Sequence, residues 1–183
     1  MACMRYPILL LLLPVLFACT TKSDIAAGDT SASTDTSTTD TVDTSLVCNT
    51  ANEACAPNVA GCGGEGVNML PGADCLACHG EGAPAGRERA PTFTAGGTLF
   101  ADWAGTVPVA NATVRITDAT GRTVTLTSSR VGNFETNARL TPPLTAEVET
   151  PAGVRRMDQE VNTGACNRCH ACEGEAGEKL YAE

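Results

Sequence analysis

Apolar and polar residues alternate in short stretches through the second half of the chain, and this alternation predicts β-strands. In residues 112–117, Ala112, Val114 and Ile116 face one side while threonine and arginine face the other, which is the period-two pattern of a half-buried strand. Five more strand-like segments are separated by Gly, Pro, Asn and Asp turns, at 98–103, 123–127, 132–134, 144–149 and 154–157. Six short strands with this punctuation predict a mainly β fold, a small antiparallel β-sandwich across residues 92–158.

A different pattern opens the chain, where an unbroken apolar run extends from Ile8 to Ala18 behind a single charged residue, Arg5. Its eleven residues fall well short of the roughly 20 that span a bilayer as a helix. Such a run fits the hydrophobic part of a signal peptide instead.

The residues that end this run, Leu16-Phe17-Ala18-Cys19, resemble the lipobox of bacterial lipoproteins. The resemblance implies that residues 1–18 are a lipoprotein signal peptide and that Cys19 is lipidated and anchors the mature chain to a membrane. Thr20 in place of an aspartate implies an outer membrane lipoprotein of the cell envelope, with the periplasmic or surface face left open. An ordinary secretory signal followed by an incidental cysteine is the alternative.

Residues 19–47 are rich in Ser, Thr and Asp and have no aromatic residue. Such a segment buries too little apolar surface to offset the entropy lost on ordering. We therefore expect a disordered tether with a root-mean-square reach of about 30 Å.

The folded part is expected within residues 48–183, which are enough for one small domain with attachments. The chain has a net charge of −9, and loss of Arg5 with the signal peptide makes it −10. This acidity argues against nucleic acid and anionic membrane surfaces as partners.

Two copies of one cysteine motif flank the predicted sandwich. Residues 48–91, a cysteine-rich loop segment, contain the first copy, and residues 159–183 contain the second and the C-terminal tail. Both copies read C-x-x-C-H, with the ligating residues Cys75, Cys78, His79, Cys166, Cys169 and His170. This is the attachment motif of c-type haem, in which two thiols bond the porphyrin and the histidine ligates iron. The only two histidines of the chain stand in these motifs, so haem explains more of the pattern than its rivals.

Two other interpretations of the cysteines stay open. A disulfide framework suits an exported protein but needs no histidine. A zinc site built from both C-x-x-C pairs is the other, although its halves are usually about 15–20 residues apart and here lie far apart in the sequence. Four further cysteines are disulfide candidates with three possible pairings: Cys48, Cys55, Cys62 and Cys172.

Each motif has one methionine upstream, Met69 before the first and Met157 before the second. A thioether as the second axial ligand raises the haem potential and suits electron transfer, so both are candidate metal ligands. The alternatives are that they fill gaps in the core, or that iron is open or ligated by a second subunit.

Residues 95–157 resemble the carboxypeptidase regulatory-like (transthyretin-like) β-sandwich, through the segments 97–100, 109–116, 118–121 and 131–134. The resemblance implies an accessory module without catalytic residues. Asp118 is expected in a turn, Glu135 on the solvent face and Trp103 in the core. An even count of six antiparallel strands also predicts that His79 and His170 lie at the same end of the sandwich.

Together these features predict a dihaem c-type cytochrome lipoprotein that carries electrons between redox partner proteins of the cell envelope. We expect no substrate turnover. The competing class is a structural or interaction lipoprotein whose cysteines form disulfides or bind zinc.

Overall fold

The computed structural model describes residues 47–55, 66–83 and 91–182. The predicted signal peptide, Cys19, nearly all of the tether and Cys62 lie outside the described residues. Within the described part of the chain, no helix has the length and apolar character needed to cross a membrane.

The described residues form seven short strands and two short helices. The strands are β1 (Ala95–Thr98), β2 (Thr113–Asp118), β3 (Thr123–Thr127), β4 (Asn133–Thr136), β5 (Leu144–Thr150), β6 (Gly153–Arg156) and β7 (Gly164–Ala165). The helices are α1 (Cys75–His79) and α2 (Cys166–Cys169). A three-stranded sheet has the order β4-β1-β7 and a four-stranded sheet the order β3-β2-β5-β6. All pairs are antiparallel except β1 with β7.

The core lies between the two sheets. The predicted inner face of β2 is confirmed, because Ala112, Val114 and Ile116 are at most 2% exposed. They belong to one apolar cluster with Ala95, Leu99 and Phe134 on the side of the three-stranded sheet. Two mostly antiparallel sheets around a shared core confirm the mainly β class and are consistent with a small β-sandwich.

The first strand differs from its prediction. It ends at Thr98, and the chain then turns, because the Asp102 carboxylate accepts hydrogen bonds from the backbone N–H groups of Thr106 and Val107. Trp103 lies in this turn and is 40% exposed, so its expected place in the core is wrong. The two-residue strand β7 has no counterpart in the sequence pattern, since its pairing with β1 depends on contacts far along the chain.

Asp118 ends β2 and organises the turn that follows, as predicted. Its carboxylate accepts hydrogen bonds from the Thr120 hydroxyl at 2.6 Å and from the backbone N–H groups of Thr120, Arg122 and Thr141. The Thr120 hydroxyl above all, with these backbone donors, lowers the pKa of Asp118 to about 2. Ionised Asp118 therefore favours the folded state.

We expect Asp118→Asn to lower the Tm at neutral pH. The folded-state pKa lies below the unfolded value of about 3.9, so the stabilisation is present above that value and is lost as the pH falls toward 2. The Tm difference between native protein and variant should therefore shrink as thermal melts are recorded from pH 5 down to 2. The exposed Asp158 provides the control, Asp158→Asn. A gap that stays constant over this pH range would contradict the assignment.

The two ends of the described chain are joined by a disulfide and a buried ion pair. Cys48 is bonded to Cys172 across 124 residues, and closing a loop of this size stabilises the fold by about 5 kcal/mol in the chain-entropy model. Lys179, with a side chain only 2% exposed, pairs with Glu53. Glu53 also accepts the backbone N–H of Cys172 at 2.8 Å, so residues 48–53 and 172–179 form one tied unit.

We expect Glu53→Gln to destabilise the fold by about 3 kcal/mol, because it leaves the Lys179 ammonium buried without a counter-charge. Adding Lys179→Met should recover most of that loss, since the unpaired charge is then gone. Urea unfolding of the single and double variants measures both effects. Arg156→Gln, which removes an ion pair whose arginine is 74% exposed, is the control and should change little. A double variant no more stable than the single one would refute the explanation.

Candidate functional site

The first C-x-x-C-H motif forms α1 and is held in place by a cap. The Asp74 side chain accepts the backbone N–H groups of Leu76 at 3.0 Å and Ala77 at 3.3 Å. Capping fixes where the helix begins, and the three-residue spacing puts Cys75 and Cys78 on one side of it. His79 ends the helix beside them.

The His79 ring is oriented by a backbone carbonyl. Its Nδ1 lies 2.9 Å from the Pro91 oxygen, so Nδ1 carries the proton and Nε2 keeps a free lone pair. Nε2 is buried and has no hydrogen-bond partner in the part of the chain that the structure describes. The ring also packs on Phe93, with centroids 4.7 Å apart. A histidine whose one nitrogen donates to a carbonyl while the other is left open is the usual arrangement of a metal ligand.

A cavity of about 270 Å³ lies against this helix and is mostly apolar. Cys75, Cys78, His79, Met69, Phe93 and Glu135 are among its lining residues. Met69, the predicted axial ligand of the first site, is therefore placed beside the same cavity as His79.

The two thiols of this motif are free. Burial above all, and then the neighbouring Cys166, raises the pKa of Cys75 to about 12. Burial also raises the pKa of Cys78. Both side chains are therefore neutral thiols at neutral pH.

Glu135 is a site residue that the sequence interpretation missed. It was expected on the solvent face, but it borders the cavity, where burial raises its pKa and nearby His79 lowers it. The alternation of β4 placed Glu135 on the face opposite Phe134. That this face is covered by the first motif could not be read from the sequence.

The second motif has a different environment. Cys166 packs against the apolar core, and Cys169 is part of a disulfide bond. Burial lowers the pKa of His170, and the backbone of Glu178 partly offsets this change. The Nδ1 of His170 is buried without a partner among the described residues. In the first motif, by contrast, it is Nε2 that is open.

The two motifs meet in space. The Asn167 amide donates to the Ala73 carbonyl at 2.7 Å, and Arg168 pairs with Asp74 at 2.8 Å. Residues of the second motif thus bond Ala73 and Asp74, the two residues that precede the first motif. The predicted convergence is found, although with seven strands and a parallel β1–β7 pair rather than by the predicted count of six.

The remaining predicted residues divide between the two sheets and the chain ends. Met157 lies just beyond β6 in the four-stranded sheet, with its N–H bonded to the Ala146 carbonyl, whereas α2 follows β7 in the other sheet. Of the disulfide candidates, Cys48 and Cys172 are bonded to each other, and Cys55 is also part of a disulfide.

The first motif has the groups that covalent haem attachment requires, because two free thiols and an oriented imidazole with an unpartnered nitrogen occur together beside a cavity. The second motif does not fit a covalently bound haem as arranged, since Cys169 is oxidised and Cys166 packs against the apolar core. Across residues 47–55, 66–83 and 91–182, no group of three or more His, Cys, Asp or Glu side chains is placed to hold a metal ion.

Searches with this chain against protein family models, curated proteins and solved structures found no match. The resemblances to c-type cytochromes, to the lipobox and to the carboxypeptidase regulatory-like fold therefore stay predictions based on short motifs.

We expect Asn167→Ala to destabilise the fold by about 2–3 kcal/mol. The change leaves the buried Thr98 N–H and the Ala73 carbonyl without the side chain that now bonds them at 2.9 and 2.7 Å, and each orphaned buried group costs about 1–3 kcal/mol. Chemical denaturation measures the loss, and Asn162→Ala, at an exposed position, is the matched control. Equal stability of the two variants would show that the hydrogen bonds of Asn167 do not stabilise the fold.

Proposed function

We propose that this chain is a c-type cytochrome, an electron carrier of the bacterial cell envelope, with haem attached at the first C-x-x-C-H motif. Cys75 and Cys78 would hold the porphyrin and His79 would ligate iron. The observation that carries the proposal is the open Nε2 of His79 beside two free thiols and a mostly apolar cavity. Bound haem would supply a one-electron couple.

The residues of the chain have separate tasks in this proposal. The Pro91 carbonyl accepts the Nδ1 proton of His79, which fixes the ring and makes its other nitrogen a stronger donor. Met69 is the candidate second axial ligand, because it borders the same cavity. Glu135 borders the same cavity, where burial raises its pKa and the nearby His79 partly offsets that rise.

The sequence also predicts a second haem at Cys166, Cys169 and His170, with Met157 as axial ligand. The arrangement of these residues does not support it, and we derive no electron route through that motif.

We propose that the mature chain is anchored by lipidated Cys19 to the outer membrane and reaches its redox partner proteins through the tether of residues 19–47. Its net charge argues against nucleic acid as a partner. The sandwich over residues 92–158 would be an accessory module of the carboxypeptidase regulatory-like type, which holds the site and carries no catalysis of its own.

A second candidate function is a structural or interaction lipoprotein stabilised by disulfides. It is favoured by the Cys48–Cys172 bond and by the disulfides at Cys55 and Cys169. These four oxidised cysteines fit an exported scaffold stabilised by disulfides.

The full chain, exported in a host competent for cytochrome c maturation, should be red, show a Soret band and keep its haem stain after heating and reduction. Cys75→Ser with Cys78→Ser should abolish the stain, because no thiol of this motif then remains to bond the porphyrin. Met69→Ala should change the visible spectrum and lower the potential. Colourless native protein from this host would refute the cytochrome proposal and favour the scaffold.

A further inference from the structure

The first cysteines of the two C-x-x-C-H motifs, Cys75 and Cys166, pack against opposite faces of β1. A Cβ built on Gly96 would lie 3.3 Å from the Cβ of Cys75, and one built on Gly97 would lie 2.8 Å from the Cβ of Cys166. Consecutive residues of a strand point to opposite sides. Cys75 and Cys166 therefore approach this strand from its two sides.

The side that Cys166 occupies is the core of the sandwich. Ala95, two residues before Gly97, and Leu99, two residues after it, are both fully buried members of the core cluster. Cys166 packs against that cluster, and the Phe134 ring fills the same space, with Cζ at 2.8 Å from a Cβ built on Gly97. A porphyrin bonded to Cys166 would have to displace this core.

The side that Cys75 occupies is the cavity. Thr98 points to this side and bonds the Gly72 N–H at 2.8 Å, so the segment before α1 covers this face. The cavity described above is bordered by Cys75, Cys78 and His79, and residues 166–170 do not line it.

Three other residues of the second motif are already engaged. Cys169 is in a disulfide. Asn167, 3% exposed, bonds Ala73 and Thr98. Arg168 pairs with the Asp74 carboxylate that also caps α1.

We infer that the second C-x-x-C-H motif takes no haem and is instead a structural clamp that braces the segment leading into the first motif. The protein then carries one haem, at Cys75, Cys78 and His79. This inference rests on the proposed function for its first half, the haem at α1. It departs from the dihaem prediction, because Cys75 and Cys166, the equivalent cysteines of the two motifs, lie on opposite faces of β1.

Counting haem per chain separates the outcomes. The intact mass of the full, exported and matured protein is measured by mass spectrometry, and its haem content is determined from the absorbance spectrum relative to protein concentration. One haem per chain, located by mass spectrometry on the proteolytic peptide that contains residues 75–79, supports the inference. Two haems, with one on the peptide containing Cys166, overturn it while leaving the cytochrome proposal standing. No haem overturns both.

Thiol labelling and a matched pair of variants test whether the second C-x-x-C-H motif is a structural clamp without haem. In denatured, unreduced protein, alkylation should label Cys166, and Cys169 should be labelled only after reduction. Cys166→Ala should leave haem content and the visible spectrum unchanged, whereas Cys78→Ala, the equivalent loss of one thiol at the first motif, should reduce covalent haem and shift the α-band. Resistance of Cys166 and Cys169 to alkylation after reduction, or loss of haem in Cys166→Ala, would overturn the clamp.

Discussion

The hydroxyl of Thr98 is the point on which the arrangement of the site depends. Thr98 is fully buried, and its oxygen accepts the Gly72 N–H and the Asn167 amide while donating to Asn133 at 2.8 Å. A hydroxyl has one proton and two lone pairs, so all of its bonding capacity is used. Three segments that are far apart in the sequence meet on this one atom, and buried polar groups of this kind specify a unique arrangement only when every member is satisfied.

Asn133 extends this network to the cavity, since its amide donates to the backbone carbonyls of Val67 and Met69. The loop that carries Met69 is therefore positioned by polar bonds rather than by a large apolar contact. Only 4% of the chain is aromatic, so its core is built mainly from small and aliphatic side chains. Small cores of this kind usually need covalent or ionic reinforcement, which the Cys48–Cys172 bond and the Lys179–Glu53 pair provide here.

Much of the sandwich was predictable from local pattern, and the site was predictable only in part. The alternation of residues 112–117 and the turn chemistry of Asp118 fix β2 and its hairpin, because both act within a few residues. Trp103, β7 and Glu135 were misjudged or missed, since their environments are set by partners tens of residues away. The spacing of the cysteines and histidines predicted both motifs. It shows only that two thiols and one imidazole lie close together along the chain, and it carries no information on which face of β1 Cys75 or Cys166 will contact.

Two identical C-x-x-C-H motifs in one chain therefore need not both bind haem. A porphyrin needs free thiols, an open imidazole nitrogen and space. The C-x-x-C-H motif shows only that two cysteines and a histidine are present, because it carries no information on the oxidation state of the thiols or on the space around them. Here the space is created by the outer face of β1 and its covering loop, while the inner face is taken by Ala95, Leu99 and Phe134. Val67 borders the cavity and is 57% exposed, so the cavity reaches the protein surface at that loop.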